Sequence, residues 1–186
     1  MHNTIYNNEK SILNTVKQIC QNNLTKTDYA IDMTIGNGFD TLFLANLAQK
    51  VFGFDIQKQA ILNTTKLLDE NNLKNYQLFL KSHESVNITL QEYQQKIKLI
   101  LFNLGYLPKS DKTIMTNQKT TLNALKNCFP LLTKDGLILI VFYPHEEGKK
   151  EYQTVINYLK DKKIPCTEYH NTQNANAPFL LSIKKL

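Results

Sequence analysis

Short apolar runs alternate along this chain with stretches whose apolar residues recur at helical spacing, and no other feature narrows the fold so far. A strand that returns parallel to its neighbour needs a crossover of a dozen or more residues, usually a helix. Repeated strand-helix alternation therefore builds a mostly parallel sheet with helices on both faces. The first unit is the run Tyr29 to Met33, the glycine pair Gly36 and Gly38, and an apolar-rich helical stretch from Thr41 to Ala48. Val51 to Phe54 reads as the next strand. Gln57 to Leu68 reads as its helix, with Ala60, Ile61, Thr64, Leu67 and Leu68 on one face and Asn71-Asn72 as its stop. The pattern repeats with strand Tyr76 to Leu80, a short helix from Val86 to Tyr93, and Ile97 to Asn103, apolar enough to be a buried central strand. A loop from Leu104 to Thr116 leads to a helix through Leu122, Leu125 and Phe129. The strand Leu137 to Tyr143, opened by the turn Lys134-Asp135-Gly136, and a helix from Lys149 to Lys160 follow.

The two ends depart from this rhythm. Cys166 to Asn171 and Phe179 to Lys184 are joined by an Asn-rich loop with no room for a crossover helix, so they are expected to pair antiparallel. At the start, Ile12, Leu13, Val16, Ile19 and Cys20 share one helical face, so residues 1–24 are expected to form a helical segment packed on the domain's edge. The expected whole is one α/β domain over residues 1–186, a Rossmann-like, doubly wound sheet of seven strands. That sheet is mostly parallel, with an antiparallel C-terminal hairpin and helices on both faces.

With 42% hydrophobic and 20% charged residues the chain is composed to fold. No stretch approaches the roughly 18 uninterrupted apolar residues of a membrane helix, and the start has no apolar leader-like run, so a cytoplasmic protein with no membrane partner is expected. Cys20, Cys128 and Cys166 are far apart and in no metal-ligand spacing, which reads as buried free thiols and no metal site. The 22 basic residues, all lysine, against 16 acidic ones give a net charge of +6 and favour a polyanionic partner such as RNA.

Chemistry concentrates where the strands end. In Asp32-Met33-Thr34-Ile35-Gly36-Asn37-Gly38, glycines let the backbone turn sharply and come close to a ligand, at the sheet edge where such folds bind ligands. Asp55 ends the following strand, where an acid can accept both hydroxyl protons of a ribose, and Gln57 is near enough to touch the nucleoside. Asp55 as a helix cap is the competing reading. A dinucleotide turn would want a third glycine where Thr41 stands. S-adenosylmethionine has no phosphate and needs a polar site for its amino-acid part, for which Asn37, Asp40 and Thr41 are suitable, although Asp40 could equally cap the helix. Ser82 and His83 close the third strand of the repeat, beside the adenine position or in a solvated loop.

The acceptor side is expected at Phe102-Asn103-Leu104-Gly105-Tyr106-Leu107-Pro108. Methyl transfer from a sulfonium is an in-line displacement that chiefly requires a neutral nucleophile held about 3–3.5 Å from the methyl carbon. The Asn103 side-chain oxygen and the Leu104 carbonyl can accept protons from an amine and aim its lone pair, with Gly105 giving room and Tyr106 a face on which to stack a base. A strand end closed by a Gly-Pro turn is the plain alternative. Asp111 can help remove the amine's proton and Lys112 can touch phosphate, while Tyr143 and His145 close the next strand on the same edge.

These segments, together with Phe54-Asp55-Ile56-Gln57, Lys81-Ser82-His83, Asp111-Lys112, Glu147-Gly148-Lys149 and the terminal loop before Pro178-Phe179, resemble the YtqB/MnmM family over nearly the whole chain. The resemblance implies a class I methyltransferase that uses S-adenosylmethionine to methylate the aminomethyl group on the wobble uridine of certain tRNAs, converting 5-aminomethyl-2-thiouridine to 5-methylaminomethyl-2-thiouridine. Carried over, the cofactor positions are Asn37, Asp40, Asp55, Gln57, Ser82 and His83, with the base near Asn103, Tyr106 and His145. Lys109-Ser110 and Tyr143-Pro144-His145 depart from the family pattern, and both departures bear on acceptor fit rather than on the cofactor turn. The rival functions are an rRNA or other RNA methyltransferase, a small-molecule amine methyltransferase, and a non-catalytic binding module. A tRNA anticodon region held by one face, enlarged by homodimerisation, is the expected partner arrangement.

Overall fold

In a computed structural model, residues 2–7, 11–104, 116–172, 174 and 177–185 are described. In chain order, the first half runs β1 (His2–Asn7), α1 (Ile12–Asn23), β2 (Tyr29–Asp32), α2 (Phe39–Ala45), β3 (Lys50–Asp55), α3 (Lys58–Glu70), β4 (Tyr76–Leu80) and α4 (Val86–Thr89). The second half runs β5 (Ile97–Asn103), α5 (Gln118–Cys128), β6 (Leu132–Phe142), α6 (Glu146–Asp161), β7 (Cys166–Asn171) and β8 (Phe179–Lys184). They build one sheet in the order β1-β7-β8-β6-β5-β2-β3-β4, parallel throughout except where β8 runs against β6 and β7.

Period-two alternation splits the core into two layers. Along β5, Leu99 and Leu101 point to the layer holding Ile12, Val16 and Cys20 of α1, Leu44 of α2 and Leu68 of α3. Ile100 and Phe102 point to the opposite layer, with Val86 of α4, Ala124 and Leu125 of α5 and Val155 and Leu159 of α6. In α3 the fully covered positions are Ala60, Thr64 and Leu68, spaced four apart, as expected of one helical face against a sheet. Local signals set the ends. Ser11 caps α1 through Leu13 N–H, Asn117 closes a capping box on α5, and Asn72, at φ 57°, turns the chain out of α3. The three cysteines are free and buried, and burial pushes the Cys20 thiol up to about 12. Among the described residues no helix is long and apolar enough to cross a membrane.

The doubly wound sheet and its terminal antiparallel hairpin are those read from the sequence, but the strand count of seven is one short. His2–Asn7, expected within a helical segment, is an eighth strand, paired in parallel with β7 from His2↔Cys166 onward. Its residues 2–6 are exposed on both faces, so it carries no apolar alternation to announce it. β6 also begins earlier than expected. The turn at Lys134-Asp135-Gly136 is a bulge inside one strand, because Ile97 pairs with Leu132 and Leu99 already pairs with Leu137.

Candidate functional site

The carboxyl ends of β2, β3, β5 and β6 meet along one edge. There the chain leaves β2 through a glycine turn with Gly36 at φ 54° and Gly38 at φ 83°, both in the left-handed region that favours glycine. A Cβ on Gly38 would stand 2.4 Å from the Thr64 hydroxyl, so glycine there also lets α2 close onto α3. The turn is braced from beneath by Asp32, which is fully buried. One of its carboxylate oxygens accepts the Thr34 N–H at 3.1 Å and the other the Thr41 hydroxyl at 2.6 Å. Burial, with the charge of Asp40 adding to it, pushes Asp32 up to about 7. Asp32 and Thr41 therefore face inward and hold the turn's shape, whereas Asn37 is exposed at its tip.

Asp55 lies across the turn at the end of β3, half-buried. Its Oδ1 accepts the Gln57 N–H at 2.8 Å and its Oδ2 accepts the Gly36 N–H at 2.9 Å. It thus steadies the entry into α3 and ties the glycine turn to β3. Burial raises its pKa, opposed by the backbone bonds it receives. Ile56, directly after it, leaves 58% of its surface exposed at this edge.

Asn103 ends β5 and is held from three sides. Its Nδ2 donates to Asp40 Oδ2 at 2.9 Å, and its Oδ1 accepts from the Tyr143 hydroxyl at 3.0 Å. Its backbone N–H and carbonyl both meet the Thr34 hydroxyl, at 2.9 and 3.0 Å. A carboxylate offers only acceptors, so Asp40 requires the NH₂ end of the amide to face it and thereby turns Oδ1 the other way. Asp40, in the first turn of α2, makes no capping bond and serves this cross-strand contact instead. Burial, with Asp40's charge second, raises the Tyr143 phenol. The buried Leu104 is pinned by its N–H to the Val141 carbonyl.

His145 sits at the rim with its Nδ1 accepting the Gly148 N–H at 3.0 Å, so that nitrogen is used as the cap of α6. A Cβ on Gly148 would be 2.1 Å from the Tyr143 carbonyl, so glycine is what lets α6 start this close to the site. Ser82 caps the short turn that carries His83. The His83 ring stands edge-on to Phe102, burial lowers its pKa, and its Nε2 is buried without a hydrogen-bond partner among the described residues. Gly105, Tyr106, Asp111 and Lys112 lie outside the described residues.

The structure thus gathers Asp32, the glycine turn, Asp40, Thr41, Asp55, Asn103 and Tyr143 along one edge. Sequence reasoning did not single out Thr34, which sits inside the quoted motif but whose two bonds to Asn103 span 69 positions and leave no local signal. It also passed over Glu151, a fully buried acid bonded to the Thr121 hydroxyl at 2.6 Å, whose pKa is raised by that burial.

Known proteins resemble this chain closely. A protein from Arabidopsis thaliana named "tRNA (mnm(5)s(2)U34)-methyltransferase, chloroplastic" is 36% identical over 87% of this chain, which spans 65% of that relative's length. A crystal structure of a "putative methyltransferase" from Streptococcus mutans in complex with SAH is 35% identical, covering 96% of this chain and 99% of that one, at a TM-score of 0.84. A crystal structure of a "putative rRNA-methylase" from Clostridium thermocellum shares 35% identity over the same fractions at a TM-score of 0.86. The architecture is that of the class I methyltransferases. A family model described as "Putative rRNA methylase" matches residues 51–184, β3 through β8, and to that family this chain belongs.

Proposed function

We propose that this chain is a tRNA methyltransferase. It would move a methyl group from S-adenosylmethionine to the primary amine of 5-aminomethyl-2-thiouridine at the wobble position, giving 5-methylaminomethyl-2-thiouridine. The observation that carries this reading is the Asn103 amide, held by Asp40 and Tyr143 so that its oxygen keeps a second lone pair to spare for an amine. The name of the 36%-identical relative supports the choice of acceptor, and SAH in the Streptococcus mutans structure supports the choice of donor.

The residues present fit that cofactor. Each Asp55 oxygen holds one backbone N–H and keeps a lone pair for a ribose hydroxyl. The exposed Ile56 offers an apolar surface for a base, and the exposed Asn37 and the Gly36 backbone line the turn where the amino-acid part would lie. The Asp40 carboxylate places negative charge beside a cationic donor. Bound there, S-adenosylmethionine would supply an activated methyl on a sulfonium. Asn103 accepts an N–H of the neutral amine and aims its lone pair at the methyl carbon. Transfer would exchange the C–S bond for an N–C bond, leaving the electron pair on sulfur, and the proton lost from nitrogen would pass to solvent. Tyr143 and His145 frame the base, while Tyr106 and Asp111 keep roles implied by resemblance alone.

With the tRNA reading we propose a cytoplasmic protein that contacts an anticodon arm. Among the described residues β1 pairs on one side only, with β7, and antiparallel pairing of its free edge with a second copy is the form a homodimer would take. Nucleoside mass spectrometry of tRNA carrying 5-aminomethyl-2-thiouridine, after incubation with the protein and S-adenosylmethionine, is the direct test. A gain of one methyl on that nucleoside is expected. The family description favours rRNA as the second acceptor to try, and methyl incorporation into rRNA alone would replace the tRNA reading.

A further inference from the structure

Thr34 joins the two halves of the site. The β2-β5 ladder ends at the pair Asp32↔Leu101, with one more backbone bond from Met33 N–H to the Leu101 carbonyl at 2.9 Å. Beyond that rung β2 bends into the glycine turn, and the Ile35 N–H goes instead to the Phe54 carbonyl on the β3 side. The N–H and carbonyl of Asn103 point together toward β2 and have lost their backbone partners there. The Thr34 hydroxyl replaces both, accepting from Asn103 N–H and donating to Asn103 C=O. Thr34 is itself located by the buried Asp32, which accepts its N–H.

We propose that Thr34 is a positioning residue for methyl transfer. It takes over on the β2 side two residues past the last pair, Asp32↔Leu101, and so holds the end of β5, which β6 pairs from the other side at Asn103↔Val141, where the Asn103 amide reaches Asp40 and Tyr143; it also ties that placement to the glycine turn. The inference rests on the reading of Asn103 as the residue that aims the acceptor amine. A threonine suits the task because one hydroxyl is donor and acceptor at once. Valine has the same shape and neither function. Serine keeps both.

The test compares Thr34→Val and Thr34→Ser in the full chain, with two readouts. The first is hydrogen exchange of the Asn103 backbone amide. It is expected to speed up in Thr34→Val and stay protected in Thr34→Ser, and unchanged protection in Thr34→Val overturns the inference. The second is turnover with saturating cofactor and tRNA, alongside cofactor affinity and melting temperature. Thr34→Val should lose about 10- to 100-fold in kcat, the scale on which a misplaced reacting group is felt, with cofactor affinity kept and Thr34→Ser close to wild type. Wild-type kcat in Thr34→Val, or a loss that serine does not restore, overturns the proposal. Asn103→Ala in the same assay separates the two ideas. If it keeps full turnover, the acceptor reading falls and takes this inference with it. If it loses turnover while Thr34→Val does not, only the inference about Thr34 falls.

Discussion

The glycine turn after β2 and the cluster around Asn103 sit side by side on the same sheet edge but are held by different means. The turn is braced mostly by its own neighbourhood: Asp32 reaches Thr34 and Thr41, two and nine residues away, and Asp55 reaches Gly36 across the adjacent strand. The cluster is assembled from afar, with Asn103 bonded to Asp40 at a separation of 63 residues and to Tyr143 at 40. A locally braced element keeps its shape when one distant contact is lost. A cluster built from separate strands loses alignment, because no part of it is preorganised alone. The two should therefore fail differently.

The largest expected effect is on turnover. Asn103→Ala should lower kcat by about 10²- to 10³-fold, the usual cost of removing one preorganised polar contact, while leaving cofactor affinity near wild type by titration calorimetry. Equal losses in both quantities would show that cluster and turn are one unit, and the comparison would break. Asp55→Ala should reverse the pattern, weakening cofactor binding about 100-fold through two lost charge-assisted bonds. A normal dissociation constant in that variant would remove Asp55 from the cofactor site.

The buried brace makes a prediction about pH. Asp32, pushed up to about 7 when folded, has an ordinary carboxylate value when unfolded. Between about pH 4 and 7 the folded state holds the proton that the unfolded state has released. The contribution of this group is therefore complete at the acid end and is lost as pH rises, by about 1.4 kcal/mol per unit across the window. Asp32→Asn keeps an acceptor for Thr34 N–H and a donor toward Thr41. Chemical denaturation should show its stability relative to wild type rising from about pH 4 to 7 and level above. A pH-independent difference would place the proton elsewhere. The smallest effect is expected of Tyr143→Phe, which removes one neutral hydrogen bond from Asn103 and should cost roughly 3- to 10-fold in kcat with the melting temperature little changed.

The same contrast governs what could be read in advance. Strands β2, β3, β5, β6 and β8 announced themselves because their apolar runs must be buried, β4 by its place in the strand-helix rhythm and β7 by a connection to β8 too short for a crossover, and the helices because one face must cover the sheet. β1 did not, since His2 to Tyr6 are exposed on both faces and the strand exists only because β7 offers an edge to pair with. The bulge at Lys134-Asp135-Gly136 looked like a turn because bulges and turns use the same residues. Asp55 was legible from its place at a strand end after a glycine turn. Thr34 was not, since a hydroxyl inside a motif carries no mark of what it meets across the sheet.

What the sequence determined by itself was the layered fold, the glycine turn and the edge on which the polar strand ends gather, all consequences of periodicity and backbone sterics, which act over a few residues. Tertiary structure alone decided that Asp40 turns toward Asn103 rather than capping its helix, that His145 uses Nδ1 as a cap, and that Thr34 completes a broken ladder. Those are choices of hydrogen-bond partner among groups far apart in the chain. A polar side chain takes whichever partner burial brings within reach, and only the folded strands set that distance.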